Sequence, residues 1–168
     1  MGNVDRERVQ VELTGWCDLA EGRRVADIAK ECGIGGCIHL RDPRSRLETL
    51  KSIAMSNLLL LLAEGWTAQI PGNTYEYLRA GRPILALTPE GALADLLRRA
   101  GGARMVDPKD IAGIAAVVLE TYRGWEKGYP LAGADRAVAS CLDRRMLAGR
   151  FVELFTRSLP SADTAAVS

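Results

Sequence analysis

The chain has one histidine and four cysteines in 168 residues, and Cys17, Cys32, Cys37 and Cys141 show no Cys-x-x-Cys spacing. A single imidazole and four thiols without paired spacing do not make a typical zinc set, so no metal site is expected and free thiols in a reducing cytosol are the simplest reading. No apolar run approaches the roughly 20 residues needed to cross a bilayer. The polar start, Met1-Gly2-Asn3-Val4-Asp5-Arg6, is not a secretory signal, and with Arg6 in place of Ser or Thr it is not a myristoylation signal. The expected location is the cytoplasm. Nor is there an excess of either charge: 22 basic and 21 acidic residues leave a formal +1. The basic residues are spread over several predicted helices rather than one stripe, which argues against a nucleic-acid footprint. No repeat of solenoid period is present.

What the chain does have is core. At 48% hydrophobic and 26% charged it suits one globular domain, taken as residues 1–159, followed by a small polar tail, 160–168, expected to fray. Period-two alternation predicts a strand over 8–13, ended by Gly15. Helical spacing of Val25, Ile28, Ala29 and Cys32 predicts a helix over 19–32, ended by Gly33. The run Gly33-Ile34-Gly35-Gly36 follows a helix and precedes a strand, the wrong order for a phosphate loop, and reads as a turn. Further strands are predicted at 37–40, 58–63, 83–87 and 104–106. The run at 58–63 has no polar residue and is expected to be buried on both faces.

Helices are predicted over 46–56, in the low seventies, and from Thr88-Pro89 in cap-then-proline order. Two more follow, one after Asp107-Pro108-Lys109-Asp110 with apolar face Ile111, Ile114, Ala115, Val118 and Tyr122, and one over 134–159. In the last, Val138, Cys141, Leu142, Ala148, Phe151, Val152 and Phe155 are expected to face the core. Strands alternating with helices predict an α/β fold, a doubly wound Rossmann-like parallel sheet of about five strands with helices on both faces.

The most informative stretch is 70–88. Strand 58–63, a loop, a short helix opened by Pro71-Gly72 and closed by Gly81, and strand 83–87 make a βαβ unit. Gly72 allows close approach of backbone to a ligand. The N–H groups of Asn73 and Thr74, expected to be free, form a half-positive pocket suited to phosphate. Glu76 stands one turn further, where a carboxylate can accept hydrogen bonds from sugar hydroxyls. If the sheet is parallel, Gly15 and Trp16 lie at its ligand-facing edge.

Ile-Pro-Gly-Asn-Thr-Tyr-Glu-Tyr-Leu-Arg-Ala-Gly-Arg-Pro-Ile-Leu-Ala-Leu resembles the donor-binding segment in the C-terminal domain of retaining GT-B glycosyltransferases of the family 4, group 1 type. Many members read Pro-x-Lys-x-x-Glu-Tyr-Leu-Ala-x-Gly-x-Pro-Val-Leu there, and the resemblance runs from about Val9 to about Asp110. It implies a nucleotide-sugar (NDP-sugar) donor with no further cofactor and no metal. Glu76 would hold the ribose, the amides of Gly72, Asn73 and Thr74 would touch the diphosphate, and Leu40 and Arg41 would lie beside the base. It also implies an N-terminal acceptor-binding domain as partner, with membrane association only through that half. Asn73 stands where many members have Lys, and the carboxylate often found eight residues before the ribose Glu falls on Ala68, with Glu64 nearby.

The family's domain normally opens with an extra strand and a basic segment, and this chain starts after that point. Removing that strand from the order 3-2-1-4-5-6 predicts direct pairing in the order 2-1-3-4-5, with Gly15 and Gly72 converging on one crevice. The other reading is a non-catalytic module, either glycosyltransferase-like or flavodoxin-like. On that reading Glu76 is a surface carboxylate paired with Arg79. On either reading Tyr75 and Tyr77 are packing residues, His39 is a half-buried strand residue, and Arg82 neutralises a helix C-terminus.

Overall fold

The structure is a computed structural model that describes residues 4–65, 67–142 and 144–158. The expected tail, 160–168, lies outside the described residues. In chain order the elements are β1 (Val11–Thr14), β2 (Leu19–Ala20), β3 (Arg23–Arg24), α1 (Val25–Glu31), β4 (Ile38–Arg41), α2 (Arg46–Met55), β5 (Leu59–Leu62) and α3 (Asn73–Ala80). They continue with β6 (Ile84–Leu87), α4 (Ala92–Ala100), β7 (Ala103–Val106), α5 (Ile111–Glu126), α6 (Arg136–Cys141) and α7 (Arg144–Ser158).

The fold is α/β, with parallel strands and alternating helices, as the pattern predicts. β6 is its centre, paired in parallel with β5 on one side and β7 on the other. Period-two geometry sends Leu59, Leu61, Ile84 and Ala86 to one face, where they pack with Leu93, Leu96 and Leu97 of α4 and Leu78 of α3 in a single apolar cluster. The other face carries Leu85, Arg104 and Val106. α5 packs over its β7 side, with Arg104 paired to Glu120 at 3.0 Å and Tyr122 buried, while Leu60 and Leu62 of β5 on the same face stay exposed. Helices therefore lie on both faces of this three-stranded sheet.

The remaining two parallel strands form a separate sheet, β1 with β4 in the register Val11↔Ile38 to Thr14↔Arg41. The predicted pairing of β1 directly with β5 is not made among the described residues. Instead of one sheet in the order 2-1-3-4-5, the chain has the pieces 2-1 and 3-4-5. Long side chains tie the pieces together. Arg8, just before β1, pairs with Glu126 at 2.8 Å and lies 4.7 Å over the Trp125 ring at the end of α5. At the other end of β1, Arg44 joins Glu12 to Ser52 of α2, each at 3.0 Å.

Several expectations change. Residues 19–24 are a hairpin rather than the first part of a helix, because Glu21 and Gly22 both take positive φ, 52° and 77°, the geometry of a two-residue turn. β5 is buried on one face only: Leu59 and Leu61 are 5% and 1% exposed, whereas Leu60 and Leu62 are 40% and 64% exposed. Thr88-Pro89 does not begin α4. The helix starts after Gly91, whose φ of 152° suits glycine and where a Cβ would collide with the Thr67 carbonyl oxygen.

In α5 the buried side chains are Val117, Thr121 and Tyr122, while Ile111 at the first turn is exposed. The span predicted as one last helix is two, and among the described residues it meets the core through Ala134 before α6 and through Val138, Ala139 and Leu142 of α6 and its end, while the Cys141 side chain lies outside what is described. Phe151, Val152 and Phe155 of α7 are exposed, against expectation.

Below the sheet three stretches of main chain meet where no side chain fits. A Cβ on Gly133 would collide with the Gly81 carbonyl, and one on Gly102, which has φ 69°, would collide with Gly133. Asp135 N–H also donates to Ala100 O at 2.8 Å, so this crossing seats the loop that leads into α6. Replacing Gly133 by Ala is expected to cost about 1–3 kcal/mol by overpacking. Gly149→Ala, in open space on α7, is expected to be neutral or slightly stabilising. Urea midpoints of the two variants against wild type check both.

Candidate functional site

The sequence places the site at the ends of β1, β4 and β5 and at the start of α3, and the structure joins Gly15 to Arg41 on one side and Arg46 to Glu76 on the other. Arg41 closes β4, and its carbonyl accepts the Gly15 N–H at 3.0 Å. Its guanidinium lies 3.9 Å from Glu12, which Arg44 also contacts at 3.0 Å. The next turn opens α2 through a capping box: Ser45 Oγ accepts from Glu48 N–H at 3.3 Å, and the Glu48 carboxylate accepts from Ser45 N–H at 3.0 Å. The hydrogen bond from the Ser45 hydroxyl, then that from its amide, holds the Glu48 carboxyl below the usual carboxylate range. With α2 fixed in this way, Arg46 reaches Glu76 of α3 at 3.0 Å.

One chain of polar contacts thus joins Gly15 to Arg41, Arg41 and Arg44 to Glu12, and, through the short loop to α2, Arg46 to Glu76. The base candidate Arg41 ends β4, and the ribose candidate Glu76 stands on α3 in contact with Arg46 at the start of α2. Glu76 is half-buried, its side chain 29% exposed, so its carboxylate remains in reach of solvent beside Arg46.

The first turn of α3 differs in detail from the expectation. Gly72 is the N-cap with helical backbone, and no side chain caps the turn. Among the described residues the amides of Gly72 and Asn73 have no backbone partner, whereas Thr74 N–H donates to Pro71 O at 3.0 Å. The half-positive helix start is therefore built from Gly72 and Asn73, and Thr74 is a correction: its amide is used and its side chain is fully buried, with Oγ1 unpartnered. The Asn73 side chain is engaged one turn on. Burial pushes the Tyr77 hydroxyl above its usual range, the Asn73 hydrogen bond works against that rise, and the neighbouring Glu76 carboxylate adds to it. Tyr77 packs against the core cluster, as expected of a packing residue. Gly81 ends the helix in the left-handed conformation, which the sequence signalled.

Other candidates sit apart. Glu64 and Ala68 are exposed in the loop after β5. Trp16 is 89% exposed. Arg82 donates from Nε to Ala54 O, one residue before the last of α2, at 2.7 Å, so it serves the C-terminal end of that helix rather than any ligand. His39 is half-buried on β4, its Nε2 without a partner among the described residues.

Glu12, Arg44 and Arg46 were not singled out in the sequence. The Ser45-Arg46-Leu47-Glu48 box was the available signal, since fixing the start of α2 fixes where Arg44 and Arg46 stand. No group of His, Cys, Asp and Glu able to hold a metal occurs among the described residues. Comparison of the chain with protein-family models, with curated proteins and with solved structures finds no match.

The Tyr77 shift predicts a pH dependence. The folded state keeps the phenol protonated to higher pH than the unfolded chain, whose tyrosines titrate near about pH 10. Its contribution to stability is therefore complete below about pH 10 and is lost as pH rises through the folded value. Urea midpoints should fall above that pH, and less steeply in Tyr77→Phe. Equal slopes for the two proteins would show that the Tyr77 environment is not the one described.

Proposed function

We propose that the chain is the nucleotide-sugar-binding domain of a retaining GT-B glycosyltransferase. It works in the cytoplasm beside an acceptor-binding domain that completes the enzyme. The observation that carries this reading is the Arg46–Glu76 contact, which ties the start of α2, five residues beyond the base candidate Arg41 at the end of β4, to the ribose candidate Glu76 on α3. The glycosyltransferase resemblance implies that arrangement for a nucleoside diphosphate, with base beside one strand end, ribose on a carboxylate, and diphosphate at a helix start.

In this reading the ribose hydroxyls donate to Glu76 and displace Arg46, which is free to turn toward the diphosphate. The amides of Gly72 and Asn73 meet the phosphate oxygens at the positive end of α3. Helix dipole and basic side chains then stabilise the departing diphosphate without a metal. Sugar transfer requires the acceptor domain, so the chain alone binds donor without turnover.

The interrupted sheet supports the same reading. β5 pairs only with β6 and β1 only with β4 among the described residues, and Leu60 and Leu62 are left exposed on β5. A strand entering between β1 and β5 completes a doubly wound Rossmann-like sheet in the glycosyltransferase order.

A second reading, a non-catalytic module of glycosyltransferase-like fold, is favoured by Asn73, which stands in the lysine position and is occupied with Tyr77. Isothermal titration with UDP, GDP, ADP and dTDP separates the two. Saturable binding of one nucleotide is expected, weakened about tenfold in Glu76→Ala and unchanged or tighter in Arg46→Ala, which frees the carboxylate. Absence of binding by all four up to millimolar concentration, with the fold intact by circular dichroism, would favour the non-catalytic module.

A further inference from the structure

α6 is held to the body, with Val138 and Ala139 against the core cluster and the Asp135 N–H bonded to Ala100 O. α7, which follows it, is of a different kind. Phe151, Val152, Leu154 and Phe155 are each between 62% and 65% exposed. Phe151, Leu154 and Phe155 fall at i, i+3 and i+4, with Val152 beside them, so they make one apolar face, while Glu153 and Arg157 fall on the opposite side. The rings of Phe151 and Phe155 lie 5.9 Å apart along that face. The side-chain hydrogen bonds found on the helix, Thr156 Oγ1 to Val152 O and Ser158 Oγ to Leu154 O, are internal to it.

The charge of the helix is as uneven as its exposure. Its sequence has four arginines against the single Glu153, whereas the whole chain has a formal charge of only +1. The chain without this helix has a formal charge of about −2, and α7 carries a net +3 beside an uncovered apolar face. With 15 residues it is about 22 Å long, and no described helix is long and apolar enough to cross a membrane. A short basic helix with phenylalanine and leucine on one face has the chemistry of an element that lies in a lipid–water interface, aromatic side down and arginines at the headgroups.

We propose that α7 seats the protein on an anionic lipid surface, with Phe151, Leu154 and Phe155 entering the boundary of the acyl chains and Arg157 meeting lipid phosphates. This is separate from the nucleotide reading and places a membrane contact on this chain rather than on a partner domain.

The test is co-sedimentation of the full chain with two kinds of vesicle, one of phosphatidylcholine alone and one with phosphatidylglycerol added. Binding to the anionic vesicles is expected, falling with added salt, and weak or absent on neutral ones. Phe151→Ser with Phe155→Ser should reduce the bound fraction about tenfold, and Arg157→Glu should reduce it on anionic vesicles by a smaller factor. Both sets of positions are exposed, so circular dichroism and urea midpoints should match wild type. No sedimentation with either vesicle, or equal binding by the double serine variant, would overturn the proposal. So would a dimer in size-exclusion chromatography that the double variant splits, since the apolar face would then be an interface between copies.

Discussion

Everything in this molecule depends on the burial of β6 between two parallel neighbours and two layers of helix. Ile84 and Ala86 are 1% and 0% exposed, and a strand in that position can only be formed by long crossovers that bring β5 and β7 to its sides. α3 and α4 are those crossovers, which is why their apolar stripes meet in one cluster with Leu61 and Ile84. The candidate site is a by-product of the same constraint. A parallel strand followed by a crossover helix points the start of that helix, and the loop before it, toward the carboxyl end of the sheet. Gly72, Asn73 and Glu76 stand there because β5 and β6 are parallel.

The second sheet is held by charge rather than by backbone. Arg8 on Glu126 and Trp125, and Arg44 on Glu12 and Ser52, link β1 to the body. Exposed ion pairs of this kind contribute little individually, so this side of the molecule is less firmly fixed than the three-stranded core. The base candidate Arg41 lies on the weaker side and the ribose candidate Glu76 on the firmer, and the Arg46–Glu76 contact spans the two. A nucleotide that contacted both would add to the strength of the junction by mass action on the folded, joined form.

The readable parts of the sequence were those in which a local cause suffices. Gly81 ended α3 because only a left-handed residue fits a helix end of that kind. Asp110 capped α5 through Gly113 N–H at 2.8 Å. Of the seven strands, β1 and β4 to β7 were recognised, each within a residue or three of its observed bounds, and the short pair β2 and β3 was not. Two of the misreadings came where a neighbour distant in sequence decided the outcome, and a third from local backbone. Leu60 looked identical to Leu61, yet one is exposed and the other buried, because helices cover one face of β5 and not the other. Phe151 and Phe155 looked like core, and the core was already filled by α6. The positive φ of Glu21 turned a predicted helix into a hairpin, a conformation that a non-glycine residue rarely adopts and that its identity does not announce.

The sequence by itself determined the α/β class, the parallel order within each piece of sheet, and the glycine-opened helix with a carboxylate one turn on, because periodicity and capping act over a few residues. Tertiary structure alone decided that Glu76 pairs with Arg46 and that β1 does not join β5 among the described residues. Those outcomes depend on which surfaces are left uncovered after the core has closed. That is a property of the whole assembly of elements, and no local run of side chains encodes it.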